Sequence, residues 1–176
     1  MQFNYIRVRE DILNMINMAM LTFPSSDLDL DSNSIIISEF LIDSKRRVRQ
    51  AALESVALLA SCLGNQRIQL LYDFIAHLEK KEKTFGEILS AVKTRIARKQ
   101  LPKLTADGLV EYGLIISPHL EVEFAKKHGR GIDDPDISWI LQGSGPLTRG
   151  STGNSGDNHI HNTHSLGFPN VSSDTR

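Results

Sequence analysis

Arg7–Pro24 reads RVREDILNMINMAMLTFP, and Arg47–Gly64 reads RVRQAALESVALLASCLG. The two segments align without a gap at an offset of 40 residues. Arg7/Arg47, Val8/Val48, Arg9/Arg49 and Leu13/Leu53 are identical, and apolar residues coincide at Ile12/Ala52, Ile16/Val56, Met18/Leu58, Ala19/Leu59 and Phe23/Leu63. Each copy also carries helical spacing. Val48, Ala52, Val56, Leu59 and Leu63 follow one another at steps of three or four, which lines one face of a helix. Val8, Ile12, Met15, Ile16 and Ala19 do the same one repeat earlier. Pro24 closes the first helix, because the residue before a proline avoids the helical region, and Gly64 with Asn65 stops the second.

A third unit follows the same plan. Ile68, Leu71, Tyr72, Ile75 and Leu78 mark one helix, and the charged run EKKEK (Glu79–Lys83) reads as a turn. Phe85, Ile88, Leu89, Val92 and Ile96 mark a second helix that ends before Pro102. SIIISEFLI (Ser34–Ile42) has the β-branched residues of a strand, but its place between helical hairpins favours a helix. A period of about 40 residues is that of HEAT-type hairpins, which stack into a solenoid where each unit buries its apolar face against its neighbours. The expected fold is therefore all-α. Hairpin units cover about 1–26, 32–64 and 66–101, and an extended lid over 104–118 turns at Asp107-Gly108 and lies over the last hairpin. The first hairpin lacks its opening helix, so the chain reads as part of a longer array or a shortened product.

The apolar residues concentrate in 1–128, whereas 129–176 holds 8 of the 12 glycines among many Ser, Asn, Asp and Thr. That composition cannot bury enough surface to offset ordering, and the stretch is expected to be a disordered tail. The single cysteine, Cys62, allows no internal disulfide. With no signal-like start and no apolar run of about 18 residues, the chain reads as cytoplasmic. A net charge of −1 excludes a globally basic nucleic-acid binder. The charge is nevertheless uneven, with five cations and no anion from Lys93 to Lys103 and another cluster at Lys45–Arg49.

The second cluster is the harder to explain. Lys45, Arg46, Arg47 and Arg49 crowd the start of a helix, where the macrodipole makes exposed cations unfavourable by about 0.3–1 kcal/mol each. In stacked hairpins the turns within units share one edge, so Lys45, Arg46, Arg47, Lys80, Lys81 and Lys83 would form a ridge about 20 Å long at ~10 Å between helices. An acidic surface would complement it. A charge run is more often a mere solvated face, and some of these residues have structural uses: Asp43 can cap the helix, and Arg49 and its repeat equivalent Arg9 can each pair with a carboxylate.

Other motifs carry no chemistry. DLDLDSNSIIISE (Asp27–Glu39) begins like a calcium loop, but Ser32 stands where the loop needs glycine and Ser38 where it needs glutamate. His159, His161 and His164 lack a scaffold for a metal site. Cys62 and His77 read as packing or solvated residues, and Asn170 heads a sequon that is idle inside a cell. Neither a phosphate-binding loop nor a nucleophile elbow nor a zinc-protease helix is present, so no cofactor, metal or enzymatic activity is expected.

LIDSKRRVRQAALESVALLASCLG (41–64), AVKTRIARKQLPKLTADGLVEYGL (91–114) and DISWILQGSG (136–145) together resemble the closing part of a TOG domain of the crescerin group, the TOG array regulators of axonemal microtubules. The resemblance spans roughly Val8–Gly145. It implies a HEAT-repeat paddle that binds tubulin or the microtubule lattice through its intra-unit turns and acts in the ciliary cytoskeleton. The implied contacts transfer to Lys45, Arg46 and Arg47, and more loosely to Lys81 and Lys83. Whole domains of the family have more repeats, and the only tryptophan here, Trp139, falls outside the repeats. The alternatives are a generic HEAT scaffold that binds a partner along its inner helical face, and nucleic-acid binding through Lys93–Lys103, which lacks interleaved aromatics.

Overall fold

The computed structural model describes residues 5–81, 87–126 and 133–142. The helices follow the apolar spacing and its stop signals. α1 (Tyr5–Thr22) ends just before Phe23-Pro24, and a single 3-10 turn at Ser25–Asp27 leads to α2 (Leu30–Phe40). Asp29 caps α2, its carboxylate accepting the Ser32 N–H at 3.1 Å, and the Ser32 hydroxyl, together with that N–H, holds its pKa below the usual value. Three consecutive isoleucines thus sit in a helix. The cap and the units on either side outweigh their strand propensity, and Ser34 and Ser38 turn their hydroxyls back onto the Leu30 and Ser34 carbonyls at 2.7 and 2.6 Å.

α3 (Arg46–Lys81) is one continuous run broken at Gly64, whose φ of 67° and ψ of 179° no helix contains. Glycine adopts that conformation without steric penalty, so residues 46–63 close one hairpin and residues 65–81 open the next. α4 (Ile88–Ala97) completes the third unit. The expected turn at Glu79–Lys83 is corrected in part. Helix persists through Lys81, because Lys80 and Lys81 fall in its last turn, where cations favour the macrodipole. Lys83 lies outside the described residues.

The repeat offset becomes spatial stacking. α1, the first half of α3, and α4 lie side by side, with α2 packed against α3. Leu13, Met20, Ile37, Leu41, Leu53, Val56, Leu59, Leu71, Ile75, Ile88 and Val92 form one buried core. The outer face of α1 stays open, with Val8 52 % and Met15 56 % exposed, whereas their register equivalents Val48 and Ser55 are fully buried.

After α4 the chain forms a two-residue ladder, β1 (Lys103–Leu104) antiparallel to β2 (Val110–Glu111), with Lys103 opposite Glu111. Gly108, at φ 77°, supplies the left-handed position of the turn. The segment reaches further than a lid over the last hairpin. The β-hairpin contacts α1, and Tyr112 donates its hydroxyl to Asn14 Oδ1 at 2.9 Å, so the strap crosses the whole helical layer. Two further helices follow, α5 (Pro118–Lys126) and α6 (Pro135–Leu141).

α6 overturns part of the expected tail. Ile137, Trp139, Ile140 and Leu141 are buried in the same core, packed mainly on α4. Trp139 therefore closes the array instead of lying outside it. The boundary at 128 came from glycine-rich composition, and a helix of seven residues is shorter than the window in which periodicity can be read. The His cluster and Asn170 lie outside the described residues. Among those described, no helix is long and apolar enough to cross a membrane.

Candidate functional site: the basic edge and the strap behind it

Glu54 sets the register of the layer. It is fully buried and accepts four hydrogen bonds: Arg95 Nε at 3.0 Å, Arg95 Nη2 at 2.6 Å, and the backbone N–H groups of Gly113 and Leu114 at 2.9 and 3.1 Å. Arg95, equally buried, also donates to the Gln100 carbonyl at 2.7 Å. One carboxylate thus ties α3, α4 and the strap together. Asn14 occupies the same helical position one repeat earlier and holds the same strap through Tyr112. Gln50, one turn before Glu54, donates to the Leu114 carbonyl at 3.1 Å. Burial, with the nearby Glu10 charge, pushes the Tyr112 phenol up to about 12, against the opposing Asn14 hydrogen bond.

Gly113 is required for this approach. A Cβ there would overlap the Gln100 carbonyl oxygen and stand 2.8 Å from Arg95 Nη2. Gly113→Ala should therefore lose about 1–3 kcal/mol by forcing the strap off its carboxylate. A thermal melt of the variant checks this, and an unchanged midpoint would contradict it.

With α3 and α4 level, the edge at the start of α3 can be described residue by residue. Asp43 is 11 % exposed at its side chain, meets Arg9 Nε at 2.8 Å, and accepts the Lys45 N–H at 2.7 Å. Arg9 therefore bridges one unit to the next. Arg49 differs from expectation, because its partners are carbonyls rather than a carboxylate: Asp43 O at 2.9 Å, Ile140 O at 2.6 Å, and Gln142 O. Burial lowers its pKa; Asp43 opposes that shift and Arg46 adds to it. The guanidinium satisfies the open carbonyls at the end of α6, where a cation also suits the dipole. Arg46 is half-buried and paired with Glu121 of α5. Lys45 and Arg47 remain exposed, with no ion pair among the described residues. Lys80 and Lys81 are exposed at the end of α3, seven residues before Ile88 in the case of Lys81.

Four of the five cations in the other cluster, all but the exposed Lys99, have internal contacts. Arg95 belongs to Glu54. Arg98 meets Asp136 through two bonds of 2.6 and 2.8 Å and Asp134 at 3.2 Å, which anchors the start of α6, and these carboxylates raise its pKa. Lys103 faces Glu111 at 3.4 Å, and Lys93 lies over the Tyr72 ring at 5.4 Å. The calcium-like stretch is likewise engaged, with Asp29 capping α2 and Asp31 paired with Arg67.

Sequence reading missed Glu54, Arg95, Arg98 and α6. One signal was present: Asp134-Pro135 is a helix-start pair, and Ile137 with Ile140 and Leu141 repeats at three and four residues. For Glu54 the only hint was an acidic residue within an otherwise apolar run.

Stacked 40-residue hairpins bound by a strap define a HEAT-type helical module, with Lys45 and Arg47 exposed at the start of α3. No family model matches the chain. It is 37% identical over 145 residues to mouse TOG array regulator of axonemal microtubules protein 1, covering 82% of this chain and 8% of the mouse protein. The human protein of the same name is 38% identical over 151 residues, again with 82% and 8% covered. Crescerin-like protein che-12 of Caenorhabditis elegans is 30% identical over 140 residues, covering 79% of this chain and 11% of that one. A solved structure of crescerin, described as using a TOG domain array to regulate microtubules in the primary cilium, superposes with a TM-score of 0.57. It is 42% identical and covers 66% of this chain and 46% of its own. The chain belongs to the crescerin family of TOG array regulators. It spans about a tenth of the length of the curated relatives it matches.

Proposed function

We propose that this chain is a non-enzymatic, microtubule-binding TOG-type module of the ciliary cytoskeleton, which presents its basic intra-unit edge to the acidic surface of tubulin. One observation carries the reading: Lys45 and Arg47 stand exposed and unpaired among the described residues at a helix start, where local stability disfavours them. Names and descriptions of the relatives point the same way. Arg46 contributes beside them, and Lys80 and Lys81 extend the contact along the next unit, with Lys83 a candidate by sequence alone. The mechanism is differential affinity, in which the module favours one tubulin state and shifts assembly without chemistry.

Lys45→Glu with Arg47→Glu should weaken microtubule co-sedimentation roughly tenfold, since like charges then face each other across the interface. The helical circular dichroism should not change, both side chains being exposed. Equal binding by the two proteins would refute the assignment. A second reading is a generic scaffold, favoured by a groove of about 150 Å³ between α2 and the second half of α3, lined by Ile35, Leu70 and Phe74. Salt separates the two, because edge contacts fade from low to physiological ionic strength whereas an apolar groove contact persists.

A further inference from the structure

We propose that α5 is a displaceable cover on the basic edge, with the Glu121 carboxylate occupying Arg46 until an acidic group of a partner takes its place. This rests on the microtubule reading above and adds to it an internal competitor that sets the affinity.

Two carboxylates serve the cluster at the start of α3, and they differ in commitment. Asp43 is 11 % exposed, bound to Arg9 and to the Lys45 N–H, and is part of the stack. Glu121 is 31 % exposed at its side chain, against 28 % for Arg46, and comes from an element outside the repeats. The Arg46 guanidinium holds the Glu121 carboxyl below the usual carboxylate range, so the contact is charged.

α5 itself is lightly held. A helix of nine residues has little stability of its own. Its opening bonds are long: the Leu120 N–H reaches Ser117 Oγ, and the Glu121 N–H reaches the Ser117 carbonyl, both at 3.4 Å. Of its described side chains, Leu120 packs against the core, whereas His119, Val122 and Lys126 are exposed. Among the described residues the ion pair with Arg46 is therefore a principal tether of α5, and it is of the partly exposed kind that a competing carboxylate can replace. While closed, α5 removes one cation of the edge from the partner and sets a negative charge beside Lys45 and Arg47.

The test compares microtubule co-sedimentation of the full chain with Glu121→Gln, Arg46→Gln, both together, and Glu123→Gln. Glu123→Gln removes the same charge from the same helix away from Arg46. Glu121→Gln should bind about two- to fivefold more tightly than the parent. Arg46→Gln should bind more weakly, the double variant should match Arg46→Gln, and Glu123→Gln should match the parent. Hydrogen exchange across 118–126 should also quicken when a polyglutamate peptide is added to the parent protein. Measurable parental binding with no gain from Glu121→Gln overturns the cover, as does a gain that survives in the double variant. If none of the proteins sediments with microtubules, the microtubule reading falls. The cover is then decided by exchange alone, and unchanged exchange with the peptide overturns it.

Discussion

Glu54→Ala is expected to lower folding stability by about 3–5 kcal/mol, the cost of leaving a buried guanidinium without its counter-charge. Urea denaturation followed by circular dichroism measures it. The size of the loss alone would not show what Glu54 does, because a buried ion pair replaced by well-packed apolar residues is often neutral. The informative variant is Glu54→Met with Arg95→Met. It removes both charges together, so the uncompensated-charge penalty disappears. The Gly113 and Leu114 N–H groups, however, still lose their acceptor, and each unsatisfied buried donor costs about 1–3 kcal/mol. The double variant should recover much of the loss yet remain below the parent. Full recovery would mean that the strap does not depend on Glu54.

Trp139→Ala should cost about 3–5 kcal/mol, the usual range for emptying a buried tryptophan site. Trp139 is 1 % exposed and sits in the layer that α6 adds over α4. Deleting everything after residue 128 should be worse than the point substitution. It strips two of the three carbonyl acceptors from Arg49, leaving that of Asp43, and both carboxylates from Arg98, so one buried and one half-buried cation lose partners. Guanidinium titrations of the parent, Trp139→Ala and the shortened chain should rank in that order of falling midpoint. A shortened chain as stable as the parent would show that α6 is dispensable to the repeats.

The two arginines at the ends of α6 show where sequence reading stops. Arg49 and Arg9 were recognisable as a repeated position, and Arg9 does pair with a carboxylate of the next unit. Arg49 lies 91 residues from the Ile140 carbonyl it binds, and nothing local specifies that partner. Arg98 and Arg95 read as members of a basic patch because sequence displays the charge of a residue but not what faces it. The microtubule-facing candidates divide the same way. Lys45 and Arg47 keep the exposure their charge suggested, whereas Arg46 is drawn to Glu121, 75 residues away.

By itself the sequence settled the three helical units, the break at Gly64 and the placement of cations at the start of α3. Those features are written in spacings of three, four and forty residues, and in glycine and proline chemistry that acts within a turn. Tertiary structure alone decided that Glu54 would hold a strap, that α6 would close the array and that Arg46 would pair with Glu121. Each of these joins groups far apart in the chain, and a contact made once leaves no period to read.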